Sequence, residues 1–292
     1  MKKNLLIILI TLISIPLKAF AYDNVAGLTF INTNPTIEFV DTDLEFEGKL
    51  AGKLGFIYGF ENIEFKLAPI SLYDENKENS DGFAVLLRWA GNRCGFDFGY
   101  ETTKGFTNKT NDQFEKDLES ESYTLNFSYS LSEEHRLKSP AKFGMGVHEH
   151  GFIFMTSISR RTLKNDTGIL DSSTQSQLGL SSNITDISAN MGSLMIGYGY
   201  TGKTTFGLFS TIRFFLGGNF QRNEVNYSDG SKIKKDTNGS TDNIFFEIGY
   251  DFGDRWIIGS SIYVDKFALK VSDKVETDYR LNNISFFLKR NF

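Results

Sequence analysis

The sequence has 292 residues and carries 31 Lys and Arg against 36 Asp and Glu, a formal net charge of −5. A chain this acidic lacks the basic surface that nucleic acid requires, which excludes nucleic acid as a partner, and its single cysteine, Cys94, excludes a disulfide-stapled fold. With 28 Phe, 12 Tyr, 27 Gly, only 4 Pro and a slightly negative mean hydropathy, the composition also excludes a bundle of membrane-spanning helices, since after the N-terminus no run approaches the ~20 continuous apolar residues one span needs.

At the N-terminus, Lys2 and Lys3 precede an apolar run from Leu5 to Leu17. Ala19-Phe20-Ala21 then supplies the small-x-small pattern of a secretory cleavage site, so residues 1–21 read as a signal peptide. Its removal takes away Lys2, Lys3 and Lys18, leaving 28 basic and 36 acidic residues and a mature charge of −8. Residues 22–34 read as a short periplasmic segment, and 35–292 as one continuous unit.

From about Thr36 onward, apolar and polar residues alternate, and no segment keeps an apolar stripe at helical spacing. In Tyr123-Thr-Leu125-Asn-Phe127-Ser-Tyr129-Ser-Leu131 every odd position is large and apolar and every even one small and polar. An extended strand sends these two sets to opposite faces. Four short turns keep the apolar faces matched. One at Glu61-Asn62 sets Phe60 opposite Ile63, and one at Asn92-Arg93 sets Trp89 opposite Phe96 and Arg88 opposite Asp97. A loop around Gly202 and another at Gly253-Asp254-Arg255 join the later pairs. Between them lie long polar stretches at 71–80, 107–122, 163–187, 222–242 and 265–278. Short turns alternating with long loops, aromatic-rich strands and a near-neutral mean hydropathy predict an all-β transmembrane antiparallel β-barrel with short periplasmic turns and long outer loops. Placing strands near 36–46, 50–60, 63–71, 82–91, 94–104, 122–131, 151–162, 190–201, 205–220, 243–252, 256–265 and 279–292 gives about twelve. Fourteen is the alternative if residues 142–147 and part of 163–187 each add a strand; twelve leaves 132–150 periplasmic or folded into the barrel mouth.

Three motifs invite chemistry. His148-Glu-His150 places two imidazoles on one strand face, but a metal site needs further ligands. It is also the histidine source for a lipid acyl hydrolase, although no His-x-Ser occurs. Gly197-Tyr-Gly-Tyr-Thr-Gly202-Lys203-Thr204 satisfies the phosphate-loop spacing, but Phe206 to Leu216 alternates as a strand, and the pattern binds phosphate only where it opens a helix. No catalytic, metal or cofactor residue is assigned, no cofactor is implied, and the chain is expected not to be an enzyme.

Ile284-Ser-Phe286-Phe-Leu288-Lys-Arg290-Asn-Phe292 closes the sequence. Its terminal aromatic residue, preceded by apolar residues at alternate positions, resembles the closing strand of bacterial outer-membrane barrels, in which Phe286, Leu288 and Phe292 would form the signal read by the barrel-assembly machinery. Further stretches resemble an uncharacterised, Bacteroidetes-type family of predicted outer-membrane barrels. They are Leu54-Gly-Phe-Ile-Tyr58 with Ile63-Glu-Phe-Lys-Leu67, Cys94-Gly-Phe-Asp97-Phe-Gly-Tyr100 with Lys104-Gly105-Phe106, Gly197-Tyr198-Gly-Tyr200, and Gly249-Tyr250 with Asp254-Arg255-Trp256-Ile-Ile-Gly259. The family implies the barrel and no activity.

In this register the lumen holds Lys53, Glu64, Lys66, Arg88, Asp97, Glu101, Arg213, Glu247, Asp251 and Lys289. A selective pore favours one sign at its constriction, whereas mixed signs can pair and fill the interior. The expected function is therefore a structural or surface-exposed envelope protein of the bacterial outer membrane, in contact with outer-membrane lipid. A channel for a small polar or ionic solute is the alternative, and an envelope-lipid acyl hydrolase the second.

Overall fold

Alternation along the strands needs partners on both sides to satisfy the backbone, and in lipid the only edge-free solution for strands is a closed ring. The computed structural model describes residues 25–40, 42–48, 53–60, 62–71, 80–137, 144–253, 256–270 and 275–291. Residues 1–21, read from the sequence as a signal peptide, and Phe292 lie outside them. The strands are β1 (Val25–Phe39), β2 (Glu45–Glu47), β3 (Lys53–Phe60), β4 (Ile63–Ser71), β5 (Asp81–Ala90), β6 (Cys94–Asn108), β7 (Gln113–Ser130), β8 (His148–Lys164), β9 (Ile184–Lys203), β10 (Leu208–Tyr227), β11 (Lys232–Asp251), β12 (Trp256–Lys270) and β13 (Glu276–Asn291). A six-residue helix, α1 (Ser172–Gln177), capped by Asp171, lies between β8 and β9. No helix among the described residues is long and apolar enough to cross a membrane.

All thirteen strands share one antiparallel sheet. Twelve of them follow one another round a ring, and β1 pairs with β13 from Val25↔Asn291 to Phe39↔Thr277 to close it. The thirteenth, β2, is a three-residue bridge between the outer ends of β1 and β6. Chain ends and short turns lie at one rim and longer connections at the other, the periplasmic and outer sides of such a barrel. Arg88 faces Asp97 and Trp89 faces Phe96 across the β5–β6 turn, and Tyr58 faces Phe65 across the β3–β4 turn, the registers read from the sequence.

Three sequence expectations are corrected. The first strand is 25–39 rather than 36–46, so most of 22–34 is barrel wall and not a lead-in; Asn32, Asn34 and Pro35 interrupt its alternation, but its ladder to β13 is what removes the open edges. The β9–β10 turn is Thr204–Gly207, a few residues beyond Gly202. Finally, the stretches 107–122 and 222–242 are mostly strand, turning at 109–112 and 228–231. Above the bilayer no hydrocarbon selects apolar side chains, so alternation fades while the backbone ladder continues.

In the membrane zone Leu125, Phe127, Phe154, Ile158, Ile196, Phe214 and Phe286 point outward. Phe127 is 42% exposed, and its neighbour Ser128 belongs to the opposite, lumen-facing set. Phe127→Lys is expected to cost about 2–4 kcal/mol and Ser128→Lys much less, as read by equilibrium unfolding in lipid vesicles. Equal costs would contradict the facing.

Candidate functional site: a lumen closed at three levels

Strand parity places the notable side chains in layers. In the periplasmic half, Glu64 (β4) lies 3.3 Å from Lys66 Nζ and 2.6 Å from Lys289 Nζ, the latter contact reaching from β13 past β1 and β3. Arg88 binds Asp97 at 2.5 Å, and Lys53, fully buried, faces Glu101 at 3.5 Å. Lys203 pairs with Asp251 at 2.6 Å. Glu247 is buried within electrostatic reach of Lys66, Arg88 and Arg213. The cations also use two inward rings: Arg88 and Arg213 lie over Phe245, and Lys66 and Lys289 over Phe287. The ten charges named from the sequence therefore lie among the inward-facing residues in one network of opposite signs, in which Arg213 also donates through Nη2 to the Leu137 carbonyl at 3.1 Å.

That carbonyl belongs to a plug. Residues 131–137 turn back into the periplasmic mouth, where Leu137 N donates to Asn92 O at 3.0 Å and the Leu137 side chain packs with Ile153, Met155, Met195 and Phe215. His135 is fully buried, with no hydrogen-bond partner at either ring nitrogen among the described residues. Two glycines make room for it. A Cβ on Gly199 would come within 2.8 Å of His135 Cε1, and one on Gly151 within 2.5 Å of Ser132 Cβ. Glu149 points inward and fixes the plug by accepting from Arg136 N at 2.8 Å and Arg136 Nε at 2.6 Å. Residues 138–143 lie outside the described residues, and 144–147, the rest of the 142–147 stretch read as an alternative strand, is turn.

A cavity of about 160 Å³ occupies mid-lumen, reaching down to Arg88 and Asp97 and lined also by Ile31, Ala84, Leu86, Phe245, Asn126 and Arg161. Its roof is an ion pair across the barrel, Arg161 (β8) to Asp265 (β12) at 2.5 Å, with the Arg161 guanidinium 4.4 Å from the Phe267 ring centroid and 4.9 Å from that of Tyr279. Sequence reasoning missed this pair. Arg161 follows Arg160 at a strand end, where one of two adjacent cations must face inward, and Asp265 fell at the edge of a stretch read as loop.

At the outer level the facing rule reverses. Ile37, Phe39, Phe46, Phe106, Leu118, Leu163, Ile187, Val225 and Tyr279 point inward and form one apolar cluster with Ile169 and Leu170 of the α1 connection. Outward neighbours such as Arg160, Lys164, Arg222 and Glu224 are charged. The outer third thus packs like a soluble β-barrel, with a hydrophobic core where a pore would have its mouth. The outer connections are tied together as well: Asp229 accepts from Ser182 Oγ at 2.5 Å and Ser231 N at 2.8 Å, which lowers its carboxyl to about 2 from 3.8. A depressed folded-state value means that the tie contributes stability above the unfolded value and loses it as pH falls through the folded one. The protection of the Ser231 amide, taken relative to intrinsic exchange at each pH, is expected to hold from about pH 7 to about pH 4 and to fall towards pH 2, a dependence that Asp229→Ala removes.

The tempting motifs resolve differently. His148 and His150 face outward at the periplasmic rim, where each ring stacks on a tyrosine and hydrogen-bonds it, His148 Nδ1 with Tyr200 Oη at 2.9 Å and His150 Nδ1 with Tyr198 Oη at 2.7 Å. No cluster of three metal-ligating side chains occurs among the described residues. Gly197 to Lys203 is strand running into a turn, so no helix N-terminus offers amides to phosphate. Of the closing-strand residues, Phe286 and Leu288 face lipid.

No family model and no curated protein matches the sequence. Solved structures similar to this chain are bacterial outer-membrane barrels. The outer-membrane protease OmpT of Escherichia coli shares 9% identity over 94% of this chain and 99% of its own, with a TM-score of 0.42. Ail, the attachment invasion locus protein of Yersinia pestis, shares 8% over 91% and 99%, at 0.27. The toluene transporter TodX of P. putida shares 9% over 94% and 91%, at 0.22. A protease among them overturns the expectation that the chain is not an enzyme, because similar barrels include an enzyme; likeness at this level carries no activity across. The chain is an all-β antiparallel barrel of the bacterial outer-membrane type.

Proposed function

We propose that the protein is a surface-exposed structural barrel of the bacterial outer membrane, exported by the signal peptide of residues 1–21 and inserted by the barrel-assembly machinery through its closing strand. Its lipid belt serves as an anchor, and β6 to β11 rise beyond it to present a polar wall outside the cell. The observation that carries this reading is the apolar cluster across the outer lumen: a path for polar solutes would have to cross Phe39, Phe46, Phe106 and Val225, which are packed against one another. Motifs such as Cys94 to Tyr100 and Gly249 to Gly259 support membership of the uncharacterised Bacteroidetes-type barrel family.

The test is single-channel recording on protein refolded into a planar bilayer, where silence is the expected result. A steady conductance that disappears in Arg88→Ala or Asp97→Ala would instead establish a channel through the mid-lumen layer.

A further inference from the structure

The outward surface has a gap at the level where its apolar belt ends. Ladder pairing puts Leu125, Ile158, Gly192 and Phe220 side by side on β7 to β10. Ile158 and Phe220 stand 65% and 68% exposed on either side of Gly192, where a Cβ would meet no atom within 4 Å. The missing side chain leaves a groove of about 440 Å³, walled by Phe98, Tyr123, Leu125 and Ile158 and topped by Arg160 and Asn190. One residue pair further out, the row changes from apolar to polar: Tyr123, Arg160, Asn190 and Arg222 lie side by side. Arg222 is paired with Asp236 at 3.1 Å, whereas Arg160 is exposed, makes no contact ion pair among the described residues and has Asp186 within electrostatic reach.

We propose that this groove is a lipid-binding site that takes one acyl chain of a phosphorylated glycolipid of the outer leaflet, with the lipid phosphate on Arg160. Hydrocarbon fills the slot over Gly192, and the guanidinium stands where the headgroup of that same lipid must lie. A planar cation at a membrane interface is matched by a phosphate, which it can hold with two parallel hydrogen bonds. The slot opens within the hydrocarbon belt, so its occupant reaches it from the bilayer, which favours a lipid over a soluble protein or peptide. Unlike the filled lumen, this site needs no movement of the barrel wall to become accessible.

The test is native mass spectrometry of the full mature protein in neutral detergent with diphosphorylated lipid A as the probe, with folding of every variant verified by heat-modifiable electrophoretic migration. The wild type is expected to retain the lipid. Arg160→Gln and Gly192→Leu should each bind about tenfold more weakly, the scale of one charge-assisted hydrogen bond or one excluded chain segment. Arg290→Gln, at the opposite rim, should bind as the wild type does. Undiminished retention by either site variant overturns the proposal, and so does equal retention of the dephosphorylated lipid or of phosphatidylglycerol.

Discussion

Asp265→Ala is expected to destabilise the barrel by about 3–5 kcal/mol, the range for removing one partner of a buried ion pair. The Arg161 side chain is 5% exposed, and its Nε and Nη1 have no hydrogen-bond partner among the described residues, so the substitution leaves a cation inside the barrel beside Phe267 and the Tyr279 and Tyr263 side chains but without its carboxylate. The loss would come mainly from stranding that charge. Replacing both members, as in Arg161→Met with Asp265→Leu, should therefore recover most of it, because well-packed apolar pairs often substitute for buried ion pairs at little cost. Urea unfolding in lipid vesicles measures all three. A loss below about 1 kcal/mol for Asp265→Ala would mean that water reaches Arg161, and the lumen would not be closed at that level.

Phe106→Ala should cost a similar amount, about 3–5 kcal/mol, from lost burial and the cavity left in the outer core. The position is instructive because parity alone sends Phe106 outward with Phe96, Phe98 and Tyr100. The β6–β7 ladder is interrupted between Lys104 and Phe106, and Gly105 there has a φ of +86°. That left-handed backbone turns Phe106 into the core, where it is fully buried, and a Cβ on Gly105 would lie 2.5 Å from the Phe114 ring. Gly105→Ala is therefore expected to destabilise the same region without removing any contact atom. Lys104→Ala, next to it but outward and exposed, should stay within about 0.5 kcal/mol. If Phe106→Ala were as mild as Lys104→Ala, the outer cluster would not be a packed core and the argument against a conducting path would weaken with it.

Both effects lie in the part of the molecule that departs from the usual division of a membrane barrel into an apolar outside and a polar inside. Between Ile158 and Leu163 on β8 the outward set passes from apolar to charged while the inward set passes from Ser157 and Ser159 to Arg161 and Leu163. The exchange marks the outer margin of the bilayer on the protein itself. It explains how one chain is both anchored and closed: lipid solvates the lower wall, while the upper wall buries its own apolar surface inward.

The transmembrane hairpins, the facing of Phe127 against Ser128 and the Arg88–Asp97 pairing were all legible from the sequence, because hydrocarbon imposes a two-residue period and short turns leave one register free of buried mismatches. The ten inward charges follow from the same parity. The sequence could not show that β1 begins at Val25, that β6, β7, β10 and β11 continue as strands through polar stretches, that Phe106 turns inward, or that Arg161 meets Asp265. Ladder continuation above the lipid depends on backbone partners rather than side-chain type, and the Arg161–Asp265 and Lys289–Glu64 contacts join residues more than a hundred positions apart. Local pattern thus determined which face of each strand meets lipid. Only ring closure decided what meets inside, since that depends on which side chains the barrel brings face to face across its interior.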